Sequence, residues 1–297
     1  MFAYRSCANF RRIFAGIAQL VEQLICNQQV VGSNPTAGSK LNTGFRCWNE
    51  QMLKTTVKRL LRQTGVKTKR RLPPDLDQES IDIFDRVRPY TMTTPERAFA
   101  LIQAVRYVVR ANVPGGIVEC GVWRGGSMMA VAYALQALGH GDKDIYLFDT
   151  YEGMARPTAE DICHTGTHAL LEFENRKTGK DSSEWCRASI EDVRSNLLST
   201  GYDADRLKFI KGKVEETIPD SAPNEISILR LDTDWYESTR HELVHLYPRL
   251  AKGGVLIIDD YGYWQGCRKA VDEYFAQQQE PILLNRVDHT GRIAVKP

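Results

Sequence analysis

Between residues 116 and 259 the chain repeats one pattern, in which a short, continuously apolar run is followed by a stretch of helical periodicity. Strands that are apolar throughout, rather than at alternate positions, are typical of a parallel sheet buried on both faces. This alternation constrains the fold more than any other feature, and it predicts an α/β fold with a mainly parallel sheet and helices on both faces. Strands are predicted at residues 116–122, 145–149, 207–211, 226–232 and 255–259, and helices at 127–138, 190–199, 238–246 and 265–277.

Two further features complete the predicted domain. Near the end of the chain, "PILLNRV" and "GRIAVKP" have the apolar content of two more short strands, which would bring the sheet to seven. Before the first strand, "TTPERAFALIQAVRYVVRANV" predicts a helix with Thr94 at its N-cap and Pro95 at its first position. We therefore place the folded domain at residues 93–297.

Residues 1–51 differ from the rest of the chain, because they contain no sustained strand or helix pattern. "QQVVGSNPTAGS" is a cluster of turn-forming residues, and its Gly-Ser-Asn-Pro sequence is what one reading frame of the T-arm of a transfer RNA gene would encode. We expect residues 1–51 to be a disordered leader or a non-native translation of such a gene. Residues 52–92 open with a basic stretch that favours a solvated helix over contact with RNA or an anionic membrane.

Charge and cysteine content argue against several classes of protein. Residues 1–72 carry 13 basic and two acidic side chains, so residues 73–297 have a formal net charge of −9, which does not favour a nucleic-acid partner for the predicted domain. The seven cysteines are odd in number and never spaced C-x-x-C, which favours free thiols in the cytoplasm over disulfides or structural zinc. Every continuous apolar run is much shorter than the roughly 20 residues needed to span a bilayer. We expect a cytoplasmic protein without stable membrane association.

The first predicted strand leads into a glycine-rich turn, "VECGVWRGGS". Gly121 and Gly125 let the backbone approach a ligand closely, but Trp123 stands where a dinucleotide fingerprint needs a glycine, which argues against NAD. Asp149, at the end of the second strand, can accept hydrogen bonds from two ribose hydroxyls. Together these features favour a nucleoside such as S-adenosylmethionine, with Glu119 in the turn facing its cationic methionine portion. The alternative is a purely structural turn followed by a loop acid.

Two predicted core strands each end in a pair of carboxylates, Asp232 with Asp234 and Asp259 with Asp260. Crowded carboxylates repel, whereas a hard cation such as Mg²⁺ prefers oxygen ligands and makes the crowding favourable. Asp232, Asp259 and Asp260 are therefore candidate metal ligands. In a continued strand Asp234 would face the same side as Asp232, where it would act as general base for a metal-bound hydroxyl. Each acid taken alone is better explained as a loop cap or an ion-pair partner, and it is the group of acids at the ends of two strands that favours a metal site.

Two segments beside these strand ends carry separate predictions. Thr239 and Glu242 make a capping-box pattern at the start of the helix predicted for residues 238–246. Residues 155–189 form a polar insert after the second strand, which is predicted to fold over the active edge as a lid. The simpler alternative is that the insert is a surface loop without a gating role.

Several motifs occur in the order found in one enzyme family: "VECGVWRGGS", "LFDTYEGMARP", "FIKGKVEETIP", "LRLDTDWYESTRHELVHLYPRLAKGGVLIIDDYG" and "GCRKAVDEYF". Through these motifs the chain resembles the TylF/MycF (macrocin) O-methyltransferase family, and the resemblance covers roughly residues 94–295. The resemblance implies a Rossmann-like class I methyltransferase fold, S-adenosylmethionine as methyl donor, and Mg²⁺-dependent transfer to a hydroxyl of a sugar or glycoside. Carried onto this chain, it implies Asp232, Asp259 and Asp260 as metal ligands, Asp234 as base, and Glu119, Gly121, Trp123, Gly125, Ser127 and Asp149 as cofactor contacts.

The sequence thus predicts a magnesium-dependent O-methyltransferase that acts on a small-molecule hydroxyl acceptor such as a sugar, a glycosylated natural product or another vicinal diol. Two alternatives stay open at this point. One is a related metal-dependent, hydroxylase-like enzyme on the same fold, and the other is a non-catalytic nucleoside-binding protein. A homo-oligomer is compatible with the sequence.

Overall fold

A computed structural model describes residues 72–297 of the chain. The predicted leader, residues 1–51, and residues 52–71 of the basic segment lie outside the described residues, so those predictions stay untested. Within the described part, no helix has both the length and the apolar content needed to cross a membrane.

The core of the fold is a sheet in which five parallel strands are extended by an antiparallel pair. Its spatial order is β3-β2-β1-β4-β5-β7-β6, with β7 antiparallel to β5 and β6 antiparallel to β7. This confirms the predicted seven-stranded, mainly parallel sheet. The strands are β1 Gly116–Cys120, β2 Ile145–Asp149, β3 Leu207–Lys211, β4 Ile226–Leu231, β5 Leu250–Ile258, β6 Asn285–Arg286 and β7 Arg292–Val295.

Helices cover both faces of this sheet, because alternate side chains of each buried strand project into two separate apolar clusters. One face packs against α1, α2, α3 and α5, and the other against α4, α6, α7 and α8. The helices are α1 Gln78–Val87, α2 Pro95–Arg110, α3 Gly126–Ala137, α4 Ala169–Arg176, α5 Ile190–Leu198, α6 Val214–Thr217, α7 Tyr236–Leu246 and α8 Gln265–Ala276.

The helix predicted before the first strand is present as α2. The Thr94 side chain accepts a hydrogen bond from the Arg97 amide at 3.2 Å, and Pro95 occupies the first helical position. The folded unit nevertheless starts earlier than the predicted boundary at residue 93. α1 buries Ile83, Phe84 and Val87 in the same apolar cluster as α2 and α3, so it belongs to the domain rather than to a separate basic segment.

The start of α7 differs from the prediction. Thr239 and Glu242 were expected to form a capping box, but the helix begins at Tyr236, and both residues are buried inside it. Glu242 instead accepts a hydrogen bond from the Thr233 hydroxyl at 2.9 Å. The Tyr236 amide is capped by Asp161 of the insert, whose Oδ1 lies 2.8 Å away. A distant carboxylate therefore replaces the local cap that the sequence pattern indicated.

The fold brings the ends of β1, β4 and β5 together at one edge. The Asp232 amide donates to the Cys120 carbonyl at 2.8 Å, and the Asp259 amide donates to the Leu231 carbonyl at 2.9 Å. Because strand order reverses between β1 and β4, this edge is where open parallel sheets bind their ligands.

Candidate functional site

Two adjoining cavities open at this edge, with volumes of about 200 Å³ and 290 Å³. Both are lined by Gly121, Asp149 and Asp232. The smaller cavity is also lined by Trp123, Ser127, Asp234, Asp259 and Asp260, so it collects most of the candidate site residues. The larger one extends past the ends of β2 and β3, with Thr150 and Lys213 in its wall.

The glycine-rich turn approaches the end of β4 closely at Gly121. This residue has φ = +82°, and a Cβ atom placed on it would lie 2.0 Å from the carbonyl oxygen of Asp232. Only glycine fits such a position without displacing the backbone of Asp232. The turn continues through Trp123, which is also left-handed at φ = +46°, and Gly125 then precedes the first turn of α3. The turn therefore packs directly against the backbone of Asp232, the first candidate metal ligand.

Asp149 ties this turn to the second strand. Its Oδ2 accepts from the amides of Val122 at 2.6 Å and Trp123 at 3.1 Å, and its Oδ1 accepts from the Tyr151 amide at 2.7 Å. Desolvation raises the pKa of Asp149, and these amide hydrogen bonds oppose the rise. Each carboxylate oxygen can accept more than one hydrogen bond, so Asp149 can hold the turn and still accept from a further donor in the cavity.

Glu119 lies in strand β1 rather than in the turn, where the sequence interpretation had placed it. Its side chain is completely buried, and Oε1 accepts from Arg230 Nη1 at 2.7 Å. Burial raises the pKa of Glu119 to about 8 despite the neighbouring guanidinium. β1 continues to Cys120 before the chain bends at Gly121, so Glu119 lies inside the strand, behind the cavity wall and facing an arginine.

Three of the four aspartates form the predicted cluster. Asp232, Asp259 and Asp260 each place one carboxylate oxygen so that the three atoms lie within 4.8 Å of one another. Desolvation raises the pKa of Asp260, and the charges of Asp234 and Asp259 add to the rise. Its Oδ2 is buried and has no hydrogen-bond partner among the described residues. A hard divalent cation would supply both the missing partner and the missing positive charge, so these side chains fit a magnesium site.

Asp234 lines the same cavity, but it lies in a turn rather than in the continued strand that was predicted. The strand ends at Leu231, and the chain turns so that the Trp235 amide donates to the Thr233 carbonyl at 2.8 Å. Asp234 itself has φ = +70°, a conformation that persists in non-glycine residues when the surroundings enforce it. Desolvation raises its pKa to about 7, and the charge of Asp232 contributes.

Two arginines that the sequence reasoning missed also contact the aspartates. Arg230, in the middle of β4, is 3% exposed and binds Asp232 Oδ2 at 2.6 Å and Asp259 Oδ1 at 2.5 Å. Arg97, from α2, contacts the other oxygen of Asp259, and its Nε lies 3.1 Å from Asp288 Oδ2. The available signal was a single charged residue inside the otherwise apolar run "ISILRL".

The insert of residues 155–189 packs against the starts of α7 and α8. Besides its contact with Tyr236, Asp161 accepts from the Thr158 amide at 2.7 Å. Trp185 of the insert lies among Trp235 and Trp264, with ring centroids 5.6 Å and 6.2 Å away, and Trp235 and Trp264 are 5.0 Å apart. These contacts join the insert to the residues that follow Asp234 and Asp260.

The chain matches the model of the family described as macrocin O-methyltransferase (TylF) over residues 20–295. It is 33% identical over 202 residues to the 8-demethyl-8-(2,3-dimethoxy-alpha-L-rhamnosyl)-tetracenomycin-C 4'-O-methyltransferase of Streptomyces olivaceus, which covers 68% of this chain and 74% of that protein. The mycinamicin III 3''-O-methyltransferase of Micromonospora griseorubida is 32% identical over the same length and covers 68% of this chain and 76% of that protein.

Two solved structures have the same fold. The O-methyltransferase NovP superposes with a TM-score of 0.62 at 30% identity, covering 70% of this chain and 82% of that protein. The calicheamicin methyltransferase CalS11 superposes with a TM-score of 0.52 at 19% identity, covering 76% of this chain and 94% of that protein, and shares the fold. The non-catalytic interpretation of the sequence is therefore set aside. The chain belongs to the macrocin O-methyltransferase family and is an S-adenosylmethionine-dependent O-methyltransferase with the class I methyltransferase fold.

Proposed function

We propose that this methyltransferase is magnesium-dependent and methylates a hydroxyl of a glycosylated natural product or a similar vicinal diol. The observation that carries the proposal is the cluster of three carboxylate oxygens within 4.8 Å of one another, in the same cavity as the glycine-rich turn. The names of the relatives support the acceptor class, since one of them acts on a rhamnosyl-bearing tetracenomycin.

Asp232, Asp259 and Asp260 would hold the cation. Bound there, Mg²⁺ would lower the pKa of an acceptor hydroxyl and fix neighbouring substrate oxygens in place. The donor supplies an electrophilic methyl group on its sulfonium. The role of the protein is to hold the donor's nucleoside on one side of Gly121 and the acceptor's oxygens on the other, so that the acceptor hydroxyl meets the methyl group.

Asp234 is proposed as the general base. It lines the cavity beside Asp232, and a pKa raised to about 7 suits a group that must be unprotonated before the reaction and must accept a proton during it. The new bond joins the acceptor oxygen to the methyl carbon, the carbon–sulfur bond breaks, and the hydroxyl proton passes to a carboxylate oxygen of Asp234. S-adenosylhomocysteine is left as the by-product.

The cofactor contacts follow from the same geometry. Asp149 would face the ribose, while Gly121, Trp123 and Ser127 line the cavity where the turn meets α3. Glu119 does not line either cavity, so it would contribute indirectly, through its hydrogen bond with Arg230.

The test is transfer of a radiolabelled methyl group to a panel of glycosides that carry adjacent hydroxyls. We expect activity to disappear with a chelator and to return with Mg²⁺. Asp260→Asn should raise the metal concentration needed, whereas Asp234→Asn should lower kcat by about 10² to 10⁴ and leave metal affinity unchanged. Asp272→Asn removes a carboxylate outside the cluster and serves as control. Full activity in the presence of a strong chelator would exclude the metal role.

A further inference from the structure

We infer that Arg230 is a positioning residue for the metal site, in which one guanidinium fixes the spacing of two ligands, Asp232 and Asp259, that arrive on neighbouring strands. The inference rests on the proposed metal site and concerns a residue that does not itself touch the metal or substrate. It is drawn from strand register, burial and hydrogen-bond geometry.

The register of the sheet places Arg230 at the centre of this group. Glu119 of β1 and Ile257 of β5 are its direct lateral partners on either side. Asp232 follows Arg230 by two positions and Asp259 follows Ile257 by two, so all these side chains project from the same face. Arg230 therefore has Glu119 beside it, Asp232 two positions ahead on its own segment, and Asp259 diagonally ahead on the neighbouring strand.

Each of these three carboxylates accepts a hydrogen bond from the guanidinium. Nη1 donates to Glu119 Oε1 at 2.7 Å and to Asp232 Oδ2 at 2.6 Å, while Nη2 donates to Asp259 Oδ1 at 2.5 Å. A planar guanidinium can bridge two carboxylates at a set separation, whereas a lysine ammonium is a single point that cannot reproduce the fork. Arg230 uses one oxygen of each aspartate, so the second oxygen of Asp232 stays clear of the guanidinium, while the second oxygen of Asp259 contacts Arg97.

Burial makes this arrangement rigid. Arg230 is 3% exposed and Glu119 is completely buried, so neither side chain can find a replacement partner in water. Glu119 holds the guanidinium from behind, and the guanidinium then sets the orientation of both aspartates. Partners of metal ligands commonly have this function, and their loss costs about 10-fold to 100-fold in metal affinity.

Charge and positioning predict opposite results when Arg230 is changed. A guanidinium close to a divalent cation repels it, so charge alone predicts tighter metal binding after the arginine is removed. Positioning predicts weaker binding, because the two aspartates would no longer be held at a common distance. Arg230→Lys separates the effects further, since it keeps the charge and loses the fork.

The experiment measures Mn²⁺ binding to the full chain by electron paramagnetic resonance, without acceptor or turnover. We expect Arg230→Lys and Arg230→Met both to weaken Mn²⁺ binding by about 10-fold to 100-fold. Affinity for S-adenosylhomocysteine, measured by calorimetry, and the thermal midpoint report whether each variant is folded. Arg106→Met is the matched control, because Arg106 also binds two carboxylates, Asp77 and Glu79, away from the cavity.

The possible results are distinct. Absence of Mn²⁺ binding by the wild-type chain contradicts the proposed metal site itself. Wild-type affinity in Arg230→Lys would show that the guanidinium fork is not needed, and tighter binding in Arg230→Met would show that charge repulsion dominates; either result overturns the positioning role. An equal loss of affinity in Arg106→Met would attribute the effect to general destabilisation. If Arg230→Met does not fold, Arg230→Lys decides the question.

Discussion

Replacing Gly121 with alanine probes the close approach between the glycine-rich turn and the end of β4. The substitution adds a Cβ atom 2.0 Å from the Asp232 carbonyl oxygen, at a residue whose φ is +82°. The left-handed conformation alone costs an alanine about 1–2 kcal/mol. The contact cannot be relieved by rotating a side chain, since the opposing atom belongs to the backbone. We therefore expect the free energy of unfolding to fall by about 3 kcal/mol or more, which is at or above the upper end of the usual range for single substitutions.

Gly139 provides a matched control. It also has a positive φ, +72°, but a Cβ atom placed there meets nothing within 4 Å. Gly139→Ala should therefore lose only the conformational part, about 1–2 kcal/mol. At about 2–4 °C per kcal/mol for a domain of this size, the thermal midpoint should fall by roughly 2–8 °C for Gly139→Ala and by at least about 6–12 °C for Gly121→Ala.

Differential scanning fluorimetry with and without S-adenosylhomocysteine measures both consequences. Wild type and Gly139→Ala should be stabilised equally by the ligand, while Gly121→Ala should lose most of that stabilisation, because the turn and Asp232 must move apart. Equal losses of thermal midpoint in the two alanine variants would refute the reasoning, since they would mean that the turn relaxes without displacing Asp232.

Three further predictions follow from other contacts. Asp149→Asn should weaken S-adenosylhomocysteine binding by about 10-fold or more in calorimetry, because the carboxylate accepts from the amides of Val122 and Trp123 and so holds the glycine-rich turn in place. A 10-fold loss of affinity corresponds to about 1.4 kcal/mol of binding free energy. Unchanged affinity would remove Asp149 from the cofactor site. Asp161→Ala should destabilise the protein by about 1–3 kcal/mol and make residues 155–189 more sensitive to limited proteolysis, since the Tyr236 and Thr158 amides lose their acceptor; an unaltered cleavage rate would contradict this anchoring. The Arg106 guanidinium, with the Ser80 amide, holds the pKa of Asp77 well below its ordinary value, so its stabilisation is present above about pH 4 and is lost as pH falls further. Asp77→Asn, which keeps the helix cap, should therefore be less stable than wild type in urea at pH 7, and a constant difference down to pH 3 would contradict the ion pair.

The buried strands were predictable because each is a short apolar run between turn-forming residues. The bounds of β1 to β4 shift by at most two residues, as in β4, which ends at Leu231 rather than at residue 232. The extra length of β5 was missed, because Gly253, with its positive φ, resembles the end of a turn. Local pattern thus determines which segments form strands, and neighbouring strands determine where they stop.

The carboxylate cluster was predictable for the same reason, since parallel strands deliver their ends to one edge. Contacts between distant segments were not. The cap of α7 comes from Asp161, 75 positions before the amide that it accepts from, and no pattern around Tyr236 indicates it. Arg230 was read as part of an apolar strand, because its partners Glu119 and Asp259 are specified by strand register rather than by spacing along the chain. Asp234 was placed by continuing a strand that in fact ends, so its presence in the cavity depends on a turn.

The three tryptophans at the edge give the protein an internal optical reporter. Trp185 belongs to the insert of residues 155–189, whereas Trp235 and Trp264 directly precede α7 and α8. The cluster therefore joins one indole ring from the insert to two from the helix starts against which it packs. Indole emission depends on the polarity around the ring and on its aromatic neighbours. Any separation of the insert from the helix starts would therefore change the native fluorescence spectrum, and stopped-flow mixing with donor or acceptor would time that movement without a label.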